Sequence, residues 1–228
     1  MIGAAGKAGA ALALCLLALA APFGPAQAEI PKLGFVPPAP GSYRLEHIMR
    51  APDGEVLDSD GSAHRFAEFS TGKVTVFSFI YTYCTDPKGC PLAYETMHEL
   101  KKTIERDPRL RDQVRFVSMS FDPRYDTPQA MRSYGGLDAR DQRGLRWYFL
   151  TTRGGKQLAP LLDGFGQDVT VADLAPNQRA PVLGHLLKVY LIDAGGSVRE
   201  IYTTSFLHPA VLLNDIKTLV MEPKGARR

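Results

Sequence analysis

Cysteine is what the 228-residue chain has least of in reactive terms: there are three, and Cys15 lies within an apolar stretch near the start. Such scarcity excludes a fold stapled by disulfides. A chain of this length does not need one, since a domain of about 200 residues buries roughly 70% of its unfolded surface. Charge of one sign is also lacking. The formal balance is +3, too small for the basic footprint of a nucleic-acid binder. No apolar run reaches the roughly 20 residues that span a bilayer, and no internal repeat is present.

The N-terminus reads as an export signal. One cation, Lys7, precedes an apolar stretch from Ala8 to Phe23, and Ala26-Gln27-Ala28 forms a small-x-small cleavage pattern ahead of Glu29. Residues 1–28 are therefore expected to be a signal peptide and the protein periplasmic, with an uncleaved membrane anchor as the alternative. Cys15 follows Leu14 and precedes Leu16 and Leu17, which is not the context of a lipid-attachment cysteine. Removing the signal leaves Cys84 and Cys90 as the whole thiol chemistry, suited to an oxidising compartment. Residues 29–42, with Pro31, Pro37, Pro38 and Pro40, read as an extended tether. A single domain is expected over 43–222, followed by a tail, 223–228, whose Arg227-Arg228 is too short for membrane binding.

Within the domain, Asp53-Gly54 and Asp60-Gly61 bracket Val56-Leu57 as turns between short antiparallel strands. The run Val74 to Tyr83 is apolar, β-branched and aromatic, and reads as a buried strand. Ala93, Met97, Leu100 and Ile104 then form one helical stripe, stopped at Asp107-Pro108. Val114 to Phe121 is a second strand, and a strand, crossover helix and strand make a right-handed parallel unit. Thr127-Pro128 opens a helix to about Tyr134, with Thr127 as N-cap. A strand at Trp147–Leu150 and a helix at Lys156–Leu162 follow. Leu186–Ile192 and Val198–Tyr202 read as a hairpin, and a last helix starts at His208-Pro209. This order predicts an α/β, thioredoxin-like fold: a central mixed sheet flanked by helices, with an N-terminal β-hairpin extension. Many activities share that fold, so function must be read from the site.

The cysteines frame a strand-to-helix loop, Cys84-Thr-Asp-Pro-Lys-Gly-Cys90-Pro91. A helix start presents unpaired N–H groups and partial positive charge that favour thiolate. Asp86-Pro87-Lys88-Gly89 suits a type I turn that would bring the sulfurs together. Three uses compete. A structural disulfide would contribute about 2.4 kcal/mol by loop-closure arithmetic. A thiol-disulfide exchange centre would use Cys84 or Cys90 as nucleophile, but a redox motif of this fold has two intervening residues rather than five. A metal site needs another ligand. A peroxidase is disfavoured by pattern: where Pro-x-x-x-Thr-x-x-Cys is expected, Phe77 and Tyr81 precede Cys84, while Tyr83 and Pro87 precede Cys90.

Asp86 is accounted for by its turn, and Lys88 reads as an exposed turn cation. Among the five histidines, His98 lies too far along the helix, roughly 12 Å at 1.5 Å rise per residue. His47, His64 and His208 read as surface or capping residues. His185, after Gly184 and ahead of the strand from Leu186, is the candidate third ligand, because the loop before this strand faces the cysteine loop in thioredoxin-like folds. A loop histidine with structural hydrogen bonds is the competing reading. Tyr81 and Tyr83 flank Cys84 by alternation and read as packed strand aromatics. Asp122 and Asp126 read as shaping the start of the following helix.

Four motifs taken together resemble the SCO/SenC family of copper proteins: Phe79-Ile-Tyr-Thr-Tyr-Cys84 with Cys90-Pro91; Ser120-Phe-Asp122-Pro-Arg-Tyr-Asp126-Thr-Pro128; Trp147-Tyr-Phe-Leu-Thr151; and Gly184-His185 before Val189-Tyr-Leu-Ile-Asp193. The likeness runs from about Tyr43 to Met221. It implies copper held by Cys84, Cys90 and His185, and a role in assembling the dinuclear copper centre of cytochrome oxidase. Two thiolates and an imidazole accommodate Cu(I) and tolerate Cu(II), whereas zinc would ask for a fourth ligand. In an oxidising compartment the pair also implies a thioredoxin-like reductant as partner. The resemblance has one departure: the family has three residues between its cysteines and this chain has five.

Overall fold

A computed structural model describes residues 28–141, 143–171 and 181–223. The expected signal segment up to residue 27, with Cys15, and the tail from 224 onward lie outside the described residues. No described helix is long and apolar enough to cross a membrane.

In chain order the elements are β1 (Met49–Arg50), β2 (Glu55–Asp58), β3 (Ala63–Arg65), α1 (Ala67–Ser70), β4 (Val74–Ile80), α2 (Cys90–Glu105), α3 (Pro108–Arg111), β5 (Val114–Ser120), α4 (Pro128–Gly135), β6 (Trp147–Thr151), α5 (Gly155–Phe165), β7 (Val169–Val171), β8 (Leu183–His185), β9 (Val189–Ile192), β10 (Ser197–Tyr202) and α6 (Pro209–Met221). Eight strands form one sheet in the order β1-β10-β9-β4-β5-β6-β2-β3, and β7 with β8 forms a separate two-stranded ribbon. β4, β5 and β6 are parallel; β9 runs antiparallel to β4. This is the mixed sheet flanked by helices of a thioredoxin-like fold.

The sequence explains the centre directly. Every residue of β4 and β5 is buried, as unbroken apolar runs require when a strand is covered on both faces. The α2 stripe, Ala93, Met97, Leu100 and Ile104, is fully buried; each large side chain contributes about 1.5–3 kcal/mol. Thr127 caps α4, its hydroxyl accepting from the Ala130 N–H at 3.2 Å. The chain break at Asp107-Pro108 is also a start, because Asp107 caps the short α3.

The expected N-terminal hairpin is β2–β3, which extends the main sheet beside β6, while β1 pairs with β10 at the opposite edge. Two expectations are revised. β4 ends at Ile80 instead of Tyr83, because the Cys84 N–H turns back to the Tyr81 carbonyl and the Thr82 N–H goes to a carboxylate of Asp126. The strand expected from Leu186 begins at Val189. The Leu186 carbonyl accepts from the Gln167 side chain at 3.1 Å, outside any ladder.

Residues 28–42 carry no helix or strand, yet they lie against the fold. Asn214 donates to the Pro38 carbonyl at 2.8 Å, the Gly41 N–H donates to the Thr218 hydroxyl at 3.0 Å, and Tyr43 donates to Asp215. Further along, the buried Arg199 binds the Leu45 and Glu46 carbonyls together with Asp193 and Glu222.

Candidate metal centre

The cysteine loop is built by its turn. The Gly89 N–H reaches the Asp86 carbonyl and the Lys88 N–H reaches the Asp86 carboxylate, each at 2.9 Å. The extra length between the cysteines is thereby folded back. Cys90 opens α2 and is buried, Cys84 is half-buried, and both are free thiols. The neighbouring Cys90 thiol, before any other influence, pulls the Cys84 thiol down to about 5; the Tyr81 hydroxyl and the Cys90 N–H add to it against partial burial. Cys90, buried beside Cys84, is raised.

His185 is brought to this loop from 95 positions away. Its Nε2 lies 4.0 Å from the Cys90 sulfur, and Nδ1 lies 3.4 Å from the Leu183 carbonyl. A proton on Nδ1, facing that carbonyl, leaves the Nε2 lone pair toward the sulfur. The ring sits between two aromatics, 4.7 Å from Phe121 and 5.8 Å edge-on from Tyr81 by centroid. Sequence reasoning expected His185 in a loop. It is the last residue of β8, paired with Val169.

The donor set fits a soft ion. For bonds of about 2.0–2.3 Å in a trigonal arrangement, sulfur and nitrogen stand about 3.7 Å apart, close to the 4.0 Å observed. Among the described residues, no three His, Cys, Asp or Glu side chains are gathered tightly enough to hold a metal without some closure.

Other candidates fall away. The Asp86 carboxylate is engaged in its turn, His208 caps α6 through its Nδ1, and His64 pairs with Glu68. His98 stacks on Tyr94 and lies 3.5 Å from Asp138. Tyr81 is both packed and part of the site's wall; it is 5% exposed and stands edge-on to the His185 ring.

Sequence reasoning missed the buttress behind the loop. Asp126 is fully buried and accepts from the Thr82 N–H at 3.1 Å, the Thr82 hydroxyl at 2.5 Å and the Ser120 hydroxyl at 2.6 Å. Its side chain thus serves the cysteine loop, while Thr127 caps the helix. Asp122 accepts from the Tyr83 hydroxyl. The Ser-x-Asp…Asp motif was visible, but nothing in its spacing says which strand end the carboxylates face.

Comparison with known proteins gives one family, described as SCO1/SenC, whose model matches residues 52–221. No curated protein sequence matches significantly. Among solved structures, Bradyrhizobium japonicum ScoI with copper bound superposes with a TM-score of 0.60 at 20% identity, covering 75% of this chain and 99% of that one. A SCO1/SenC family lipoprotein from Bacillus anthracis gives 0.57 at 25% identity, over 81% and 99%. Yeast Sco1 with copper bound gives 0.61 at 15% identity, over 79% and 93%.

Proposed function

The chain belongs to the SCO1/SenC family, and from that membership we propose that it is an exported copper chaperone in which reduced Cys84 and Cys90, with His185, capture copper and pass it to a cuproenzyme. The client is the dinuclear copper centre of cytochrome c oxidase. The relatives point the same way: B. japonicum ScoI and yeast Sco1 were solved with copper bound, and a further solved relative, BsSco, is described as a cytochrome c oxidase assembly protein. The observation that carries the reading is the convergence of a distant imidazole on a thiol pair, with Nε2 at 4.0 Å from Cys90. Two sulfurs and one nitrogen form the low-coordinate soft set that suits Cu(I) and tolerates Cu(II). Delivery then proceeds by ligand exchange, in which the client's donors replace these three in turn. In the periplasm, a thioredoxin-like reductant keeps the pair open.

The test is copper stoichiometry and spectrum of His185→Ala beside wild type, both loaded under reducing conditions. Loss of affinity of about a hundredfold or more with an altered spectrum is expected; an unchanged stoichiometry and spectrum would refute the ligand assignment.

A second reading is favoured by exposure alone, since the half-buried Cys84 stands beside the buried Cys90. In that reading the Cys84 thiolate attacks a disulfide of the client's copper site and displaces one client thiolate. Cys90 then attacks the Cys84 sulfur, forming a Cys84–Cys90 disulfide and releasing the client with two thiols. The thioredoxin-like reductant returns the two electrons. This chemistry needs neither His185 nor copper, so catalytic turnover by His185→Ala separates the two readings.

A further inference from the structure

The chain is held very differently on the two sides of His185. After it, Leu187, Val189 and Tyr190 are buried, and side-chain bonds tie the stretch to the end of α5. The Tyr190 hydroxyl donates to the Phe165 carbonyl at 2.9 Å, Lys188 donates to the Gly166 carbonyl, and the Gln167 amide donates to the Leu186 carbonyl at 3.1 Å. Before it, the β7–β8 ribbon has Leu183 as its one buried side chain, while Thr170, Val171 and Gly184 are exposed. The change from fixed to loose chain falls at Leu186, the neighbour of His185. The Leu186 side chain is 58% exposed and cannot be what holds it. Its carbonyl is.

Gln167 is itself firmly placed. Gly166 ends α5 in the left-handed conformation, with φ at 59°, and the Gln167 N–H returns to the Leu162 carbonyl at 2.8 Å, a closure that fixes a helix end. The side chain is buried, at 5% exposure. Its amide nitrogen donates to the Asp168 carbonyl at 3.3 Å as well as to Leu186, and an amide carries one hydrogen for each. Asp168 immediately precedes β7 and Leu186 immediately follows β8. The same nitrogen therefore closes the base of the ribbon, one step outside its last pair, Val169 with His185.

We propose that Gln167 is the positioning residue of His185. By closing the base of the ribbon it keeps Nε2 beside the sulfurs without touching the ring, and it sets the point about which the imidazole swings away when copper is passed on. The proposal rests on the reading of His185 as the third copper donor. With Gln167 in place, a swing of the ribbon stops at Leu186 and leaves Leu187 onward undisturbed. Without it, slack reaches further along the chain, and copper affinity falls by the fraction of molecules in which the ring is in place.

The test uses the full chain, reduced. Gln167→Met keeps the length of the side chain and removes both donated hydrogens. In the metal-free protein its amide-exchange protection at Gly184, His185 and Leu186 is expected to fall about tenfold, with β4 and β5 unchanged. Loaded with Cu(I), it is expected to bind about three- to tenfold more weakly. Lys188→Met, which removes a bond on the fixed side, should leave the three amides as in wild type. Gln167→Glu supplies the readout that mere packing would not move. At about pH 7.5 its carboxylate has no hydrogen to donate, whereas at about pH 4.5 the carboxylic acid has one, so protection relative to wild type at the same pH should recover in acid. Unchanged protection in Gln167→Met, a fall shared by β4 and β5, no acid recovery, or unchanged Cu(I) affinity despite a loosened ribbon would overturn the proposal. The exchange measurement needs no copper. A loosened ribbon in Gln167→Met beside unaltered copper binding in His185→Ala would sink the ligand assignment, while the reverse pair of results would sink the role of Gln167 alone.

Discussion

Cys84 and Cys90 stand on a loop fastened at every side, whereas His185 stands on a ribbon of three residue pairs. Behind the cysteines lie the buried strands β4 and β5, paired over seven residues, the Asp126 buttress, and the first turn of α2. Behind the histidine lie Val169, half-buried, and Thr170 and Val171, both exposed, with Phe121 and Tyr81 against the ring. An isolated two-stranded hairpin is marginally stable in water. The sulfurs are thus preorganised, and the imidazole is compliant. A protein that must both take up and give away an ion gains from that asymmetry, since the third donor can leave without disturbing the other two.

The largest expected effect tests the rigid side. Asp126→Ala strands the Thr82 N–H and two buried hydroxyls, and should lower global stability by about 3 kcal/mol, read from the urea midpoint. A loss below about 1 kcal/mol would show that the loop is held by something else. On the compliant side, a Cβ at Gly184 would meet the Thr170 hydroxyl oxygen at 2.6 Å. Gly184→Ala should therefore cost about 1 kcal/mol locally, seen as faster amide exchange in β7 and β8 and weaker copper binding. The urea midpoint should hardly move; a fall comparable to that of Asp126→Ala would erase the contrast between the walls.

A smaller effect is expected from Phe121→Leu, which keeps bulk but removes the ring beside His185. Copper affinity should fall about threefold, in line with the 0.5–1.5 kcal/mol of an aromatic pair, with the exchange reactivity of the thiols unchanged. The smallest is a pH slope. Burial raises the Asp126 carboxyl above its ordinary value, so the folded protein holds that proton more tightly than the unfolded chain. Its stabilising contribution is complete below the unfolded value and is lost as pH rises through the folded one. Asp126→Asn should flatten that part of the stability profile, measured as urea midpoints from acid to neutral; an unchanged slope would mean the buried carboxyl does not titrate there.

The central sheet was legible because its strands are unbroken apolar runs and the α2 stripe keeps strict helical spacing. Caps at Thr127 and Asp107 could be read from single residues followed by proline. What escaped reading depended on contacts between distant segments. The ribbon carrying His185 has only three residues per strand, too few for periodicity to register. The end of β4 is set by Asp126, forty-four positions away from Thr82. The bonds that hold Pro38 and Gly41 to α6 are invisible in a stretch whose prolines announce only extension. Cys84, Cys90 and His185 could be singled out from residue type, order and the family resemblance, but which nitrogen faces which sulfur could not.

The N-terminal path has a mechanical consequence. Tension on the stretch before Tyr43 meets the packed Ile30 first, then the Asn214 bond at Pro38 and the Thr218 bond at Gly41, and only afterwards the Arg199 knot at Leu45 and Glu46. Single bonds come first and the multiple bonds of a buried guanidinium last. Drag would loosen this stretch before it strained any strand of the sheet.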